Sequence, residues 1–164
     1  MPRTHTNSST GKSKKDTAPP TRDAISMLIG DHREFEKGFD DYENLSDGSK
    51  PQKKKLADTI CKQLEKHMAI EEKLFYPQVK KELKGGEDMV NEAIVEHSSA
   101  KDLMKQIKAM KGEEELFDSK VLVLKELIEH HVEEEEEEMF PKVRKSSLDL
   151  EALGEKMAEM KQQL

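Results

Sequence analysis

The chain reads as an all-α protein: an antiparallel four-helix bundle with a short fifth helix at its C-terminus and a disordered N-terminal tail. Three observations carry this reading. Four segments place apolar residues at alternating steps of three and four, the period of a helix buried on one face. Short turn-forming stretches separate these segments, which sets consecutive helices antiparallel. The composition, 38% charged, 4% aromatic and without tryptophan, suits helices rich in Lys, Glu, Leu and Met better than sheets. A length of 164 residues provides for one core. We place that domain in residues 21–164, behind a basic tail of residues 1–20.

The tail is rich in Ser, Thr, Lys and Pro, ends in Pro19-Pro20, and has too little apolar surface to fold. Arg3, Lys12, Lys14 and Lys15 against Asp16 give it +3, so the remainder carries −10 of the net −7. Such an acidic body repels phosphate, and no nucleic acid is expected as a partner. It is compatible with holding cations. His5 stands alone in the tail and is not expected to ligate anything. No apolar run has the length of a signal peptide or a membrane span, so a cytoplasmic protein with no membrane partner is the default expectation. The single cysteine, Cys61, excludes an internal disulfide and a cysteine zinc cluster, and reads as a small buried residue.

The first helix is expected to start at Thr21 as N-cap, with Asp23 in its first turn. Its inward face runs Ile25, Leu28, His32, Phe35, Phe39 and Tyr42, and residues 46–51 make the turn. The second shows Leu56, Ile60, Leu64, His67, Glu71 and Leu74 on one face, and Pro77 is expected to end or kink it. Gly85-Gly86 closes that segment. The third shows Val90, Ala93, His97, Ala100, Met104 and Ile107, and Gly112 breaks it. The fourth shows Phe117, Val121, Leu124, Ile128, His131, Glu135 and Met139, ended by Pro141. Residues 148–163 form the fifth, weakly amphipathic through Leu150, Leu153, Met157 and Met160.

Histidine and glutamate occupy inward positions where leucine is the ordinary occupant. They recur in two halves. From His67, a glutamate follows at +4 (Glu71), an aromatic residue at +9 (Tyr76) and a proline at +10 (Pro77). From His131 the same offsets give Glu135, Phe140 and Pro141. A further histidine precedes each copy, His32 by 35 residues and His97 by 34. Four residues turn a helix by about 400°, so each glutamate points within about 40° of its histidine, one turn on. Stripes of four helices meet at the axis, so His32, His67, Glu71, His97, His131 and Glu135 would face one another in an apolar interior. Burying them unpaired would cost several kcal/mol each, and a cation compensates most directly.

The neighbours read differently. Glu72 points away from the stripe, five of the six glutamates in 133–138 read as a solvated acidic face, and His130 points about 100° from His131 toward the flank. Imidazoles and carboxylates without thiolates suit iron, manganese, zinc or copper rather than calcium or magnesium. Six ligands exceed the needs of one zinc ion. Split evenly, they give two metals with two histidines each and two carboxylates to bridge them.

On Asp31-His32, His67 through Pro77, Glu96-His97 and His131 through Pro141, the chain resembles the haemerythrin-like, or HHE cation-binding, domains over about residues 21–160. The resemblance implies two non-haem iron ions with an oxo or hydroxo bridge. It makes His32, His67, His97 and His131 terminal ligands, and Glu71 and Glu135 bridging ones. It also implies a small diatomic or peroxide ligand: O2, NO or hydrogen peroxide. Oxygen-carrying members place a second histidine one turn after the third-helix histidine, where this chain has Lys101, and a bridging aspartate at +5 where this chain has Glu135 at +4. That departure favours reaction with, or sensing of, an oxidant over oxygen storage. An enzyme decomposing peroxide or reducing NO, in stress defence or iron-centre repair, and a zinc-holding or metal-free interaction module stand as alternatives. No serine–histidine–acid set, phosphate-cradling glycine loop or activated cysteine is present to supply another chemistry.

Overall fold

A computed structural model describes residues 23–164, so the expected tail, with His5 and the proposed cap Thr21, lies outside the described residues. Helix α1 spans Ala24–Glu43, and α2 (Lys50–Ile70) runs through a first π-helical turn (Glu71–Phe75) into α3 (Tyr76–Glu82). Helix α4 spans Gly86–Ala109. In the same manner as α2, α5 (Phe117–Glu134) runs through a second π-helical turn (Glu135–Met139) into α6 (Phe140–Arg144), and α7 (Leu150–Gln163) ends the chain. Around the bundle each rod packs on its neighbours, α1 on α2, α2 on α4, α4 on α5 and α5 on α1. The expected four-helix bundle with a fifth helix is the observed fold.

Helix α1 is capped by Asp23, two residues beyond the expected Thr21. Its carboxylate accepts the Ser26 N–H at 2.8 Å, satisfying one of the amides that a helix start leaves free. Pro51 lies in the first turn of α2, where a missing N–H costs nothing. The turn into α4 relies on Gly85 at φ +79° and on Gly86, where an added Cβ would lie 2.4 Å from the Val79 carbonyl. Asp149 caps α7 by accepting from the Ala152 N–H at 3.0 Å.

Pro141 does not end its helix, contrary to expectation, and of the stop or kink expected at Pro77 the stop does not occur. Each follows a π-helical turn in which one extra residue is accommodated, and the Tyr76 and Phe140 N–H groups bond the carbonyls of Glu71 and Glu135, five residues back. The wider turn makes room for the proline ring, which then sits in the first turn of the continuing helix. Both π-helical turns begin on a glutamate of the inward set.

The core is divided in two. One apolar cluster includes Phe35, Leu64, Met68, Ala100, Ile128 and Val132, and the other Leu28, Ile70, Phe75, Ala93, Met139 and Phe140. On every rod the inward histidines and glutamates fall between the two. Helix α7 buries Leu153 and Met157 against the second cluster, and Lys161 forms an ion pair with Asp31 on α1.

Candidate metal centre

The polar layer is buried. His32 and Glu71 are 0% exposed, and His67, His97, His131 and Glu135 no more than 3%. Two groups form within it. In the first, His32, His67, Glu71 and Glu135 each offer an atom within 4.8 Å of the others; in the second, Glu71, His97 and His131 do the same. Ligand atoms about 2.0–2.2 Å from one ion lie roughly 3–4.3 Å apart, and the observed separations match. His67 Nε2 is 3.0 Å from Glu71 Oε1, His32 Nε2 is 3.4 Å from Glu135 Oε2, and His97 Nε2 is 3.2 Å from Glu71 Oε2.

Glu71 belongs to both groups, one oxygen to each. Glu135 is also placed between them, its Oε2 3.4 Å from His32 and 3.7 Å from His131. His97 and His131 meet Nε2 to Nε2 at 3.1 Å. In the first group, His32 Nε2, His67 Nε2, Glu71 Oε1 and Glu135 Oε2 are buried without any hydrogen-bond partner. Buried polar atoms are normally satisfied, and four orphans aimed at one another mark a position for a cation.

Each imidazole is held from behind by a carboxylate. Nδ1 of His32 lies 2.8 Å from Glu136, that of His67 3.1 Å from Asp31, that of His97 2.9 Å from Glu72, and that of His131 2.7 Å from Glu96. A Nδ1–H donated to a carboxylate fixes the ring and leaves the Nε2 lone pair facing inward, which is how metal-binding histidines are held. Outer cations hold three of these carboxylates in turn: Arg33 reaches Glu136 at 2.5 Å, Lys101 reaches Glu72 at 2.5 Å, and Lys161 pairs with Asp31. The His130 ring lies 3.6 Å from Glu96.

Two expectations change accordingly. Glu72 does not point idly away, and Glu136 is not part of a solvated face; each orients a histidine of the adjoining helix. His130 is on the flank as expected, 3.2 Å from Glu134. Cys61 is buried, and burial pushes its thiol up to about 12, so it behaves as an apolar residue.

The carboxylates of the layer favour the protonated forms of His67 and His131. Burial works to lower the His67 pKa, but the Glu71 and Asp31 carboxylates outweigh it and raise it to about 10. Burial opposes the charge on His131 likewise, and Glu135 and Glu96 raise it to about 9. Burial would raise the Glu71 pKa, yet His67 and His97 hold it well below the usual carboxylate range. Tyr76 also enters the layer. Burial first, then the Glu135 and Glu71 charges, push its phenol well above its ordinary value.

The profile of the Hemerythrin HHE cation binding domain matches residues 23–143. The chain belongs to this family. The hemerythrin match covers all four rods and every residue of the polar layer. A crystal structure of a Hemerythrin HHE cation binding domain-containing protein from Mycobacterium kansasii superposes with a TM-score of 0.73 at 24% identity, covering 86% of each chain. That likeness establishes the hemerythrin-like fold. None of the curated proteins compared with the chain matches it. Family and geometry together make this a metal-binding helical protein. No helix among the described residues is long and apolar enough to cross a membrane.

Proposed function

We propose that the polar layer holds two non-haem iron ions and that the protein binds, senses or reacts with a small oxidant: O2, NO or hydrogen peroxide. One observation carries the reading. A single buried carboxylate, Glu71, gives one oxygen to a His32–His67–Glu135 group and the other to a His97–His131 group, the arrangement of a bridging ligand. His32, His67, His97 and His131 would be the terminal ligands and Glu71 and Glu135 the bridges. Iron, when bound, supplies the redox and Lewis-acid chemistry that no side chain here offers.

The chain's own groups do the rest. Asp31, Glu72, Glu96 and Glu136 orient the rings and raise their basicity. The two apolar clusters keep bulk water from the layer. Lys101, standing where oxygen carriers have a further histidine, donates to Glu72 and adds no ligand. A cleft of about 140 Å³ between α4 and α5 reaches His131 and Glu135.

Metal analysis with absorption spectroscopy tests the reading. Protein produced with ample iron should carry about two irons per chain and show the near-ultraviolet absorption of a bridged ferric pair. Protein that retains only zinc, or whose melting temperature is indifferent to a chelator, would support the interaction-module alternative instead. Sustained peroxide or NO turnover would make it an enzyme, and a single stoichiometric response a sensor or binder.

A further inference from the structure

On three flanks of the bundle the carboxylate behind a layer histidine meets a fixed cation: Arg33 beside Glu136, Lys101 beside Glu72 and Lys161 beside Asp31. The fourth flank, between α4 and α5, breaks this pattern. Among the described residues, no lysine or arginine forms an ion pair with Glu92, Glu96, Glu134 or Glu138, and the partners of Glu96 and Glu134 are histidines. Lys142 turns instead toward Met89, its Nζ 3.8 Å from the sulfur. This flank alone is left with uncompensated carboxylates and an imidazole that can bind a metal.

His130 and Glu134 stand one turn apart on α5, so their side chains leave the same face of the helix, and Glu96 approaches from α4. His130 Nε2 lies 3.2 Å from Glu134 Oε1 and 3.6 Å from Glu96 Oε1, separations that two ligands of one cation take. All three residues offer an atom within 4.8 Å of the others. Glu96 faces both ways, its other oxygen 2.7 Å from His131 Nδ1. The cleft of about 140 Å³ runs inward from here, past Glu92, Glu96, Glu134 and Glu138 to His131 and Glu135. Side-chain exposure falls along it, from 37% at Glu134 to 18% at Glu96 and 2% at Glu135. At its inner end Glu135 Oε2 is buried without a hydrogen-bond partner. Carboxylates of one sign thus lead from solvent to an orphaned atom of the layer, a path that attracts cations and repels anions.

We propose that Glu96, His130 and Glu134 form a third cation site, where a divalent transition metal ion is captured from solvent before it passes along the cleft into the layer. The delivery role rests on the metal-holding reading of the layer given above. One imidazole with two carboxylates suits ferrous iron, zinc or cobalt, and the imidazole sets the site apart from calcium and magnesium sites built of oxygen alone. Three protein ligands leave further positions to water, so the captured ion is free to exchange. Transfer inward is an exchange of ligands, His130 and Glu134 for His131 and Glu135, with no change of oxidation state.

Cobalt(II) serves as the probe. Calorimetric titration of the iron-loaded full-length protein should find one further cobalt ion per chain, and His130→Ala with Glu134→Gln, two substitutions outside the layer, should remove it. Metal-free protein mixed with limiting cobalt should fill the layer about tenfold more slowly in that double variant, with the final metal content unchanged. Glu133→Gln, which removes an exposed charge from another face of α5, should load at the wild-type rate. Iron-loaded wild-type protein that takes up no further cobalt would overturn the site, whatever the folding of the variants. A double variant that fills as fast as wild type, or a Glu133→Gln variant that is slowed equally, would overturn the delivery role. A layer that holds no metal while the flank still binds one cobalt would overturn the reading of the layer and leave the flank site standing.

Discussion

Glu71 is the residue on which the two metal positions depend, since its oxygens serve one group each. Glu71→Ala should therefore lose both irons, whereas a lost terminal ligand should weaken chiefly one. Glu72→Gln keeps the shape of the side chain but removes the charge behind His97, and should lower metal affinity about 10–100-fold while the bundle stays folded. Direct metal titration separates these outcomes. The histidines also set a pH dependence. In metal-free protein His67 has a pKa raised to about 10 and His131 to about 9, against about 6.5 in an unfolded chain. Their stabilising contribution is thus complete below about pH 6.5 and lost as pH rises through those values. The chelated protein should melt progressively lower between pH 6.5 and 10. Metal competes with these same protons, so loading should release protons and tighten as pH rises. Asp31 and Glu96 were visible in sequence as neighbours of His32 and His97, but Glu72 and Glu136 were not. They leave the inward stripe for the flank, and sequence periodicity does not say which helix stands on that flank.

At the scale of the element, the inward faces of all four rods were legible, because leucine-like spacing persists straight through the histidines. Every residue assigned to those faces on α1, α4 and α5 is buried. The π-helical turns were not legible. Pro77 and Pro141 carry the ordinary signature of a helix end, and only the tertiary packing of Phe75, Tyr76, Met139 and Phe140 shows that each helix continues. Because the wide turn absorbs one extra residue, deleting exposed Lys73 should restore a regular α-helical turn and leave the register beyond it unchanged, with the Tyr76 N–H bonding the Glu71 carbonyl four residues back and Tyr76 still in the layer. Circular dichroism should report a helical protein, and metal titration should show that it still loads; loss of metal binding in the deletion variant would show that the wide turn itself is required.

For the whole molecule, six ionisable groups between two apolar clusters make the bundle depend on what it binds. A ligand present at 100-fold its Kd stabilises by about 2.7 kcal/mol, which for a chain of this size corresponds to roughly 5–10 °C in melting temperature. Chelation should lower the melting temperature by at least that much, and iron should restore it. The fold followed from the spacing of apolar residues, and the six layer residues from their histidine–glutamate repeat. The closeness of their contacts could not be read from either. Spacing places a residue on a face; it does not give the 3.0–3.4 Å separations that make a face into a pocket. Anomalous diffraction at the iron edge on iron-loaded crystals would locate the metals in the layer. Two peaks about 3–4 Å apart are expected, one beside His32 and His67, the other beside His97 and His131, with Glu71 between them. A single peak, or density confined to the exposed flank at Glu96, His130 and Glu134, would contradict the two-iron reading.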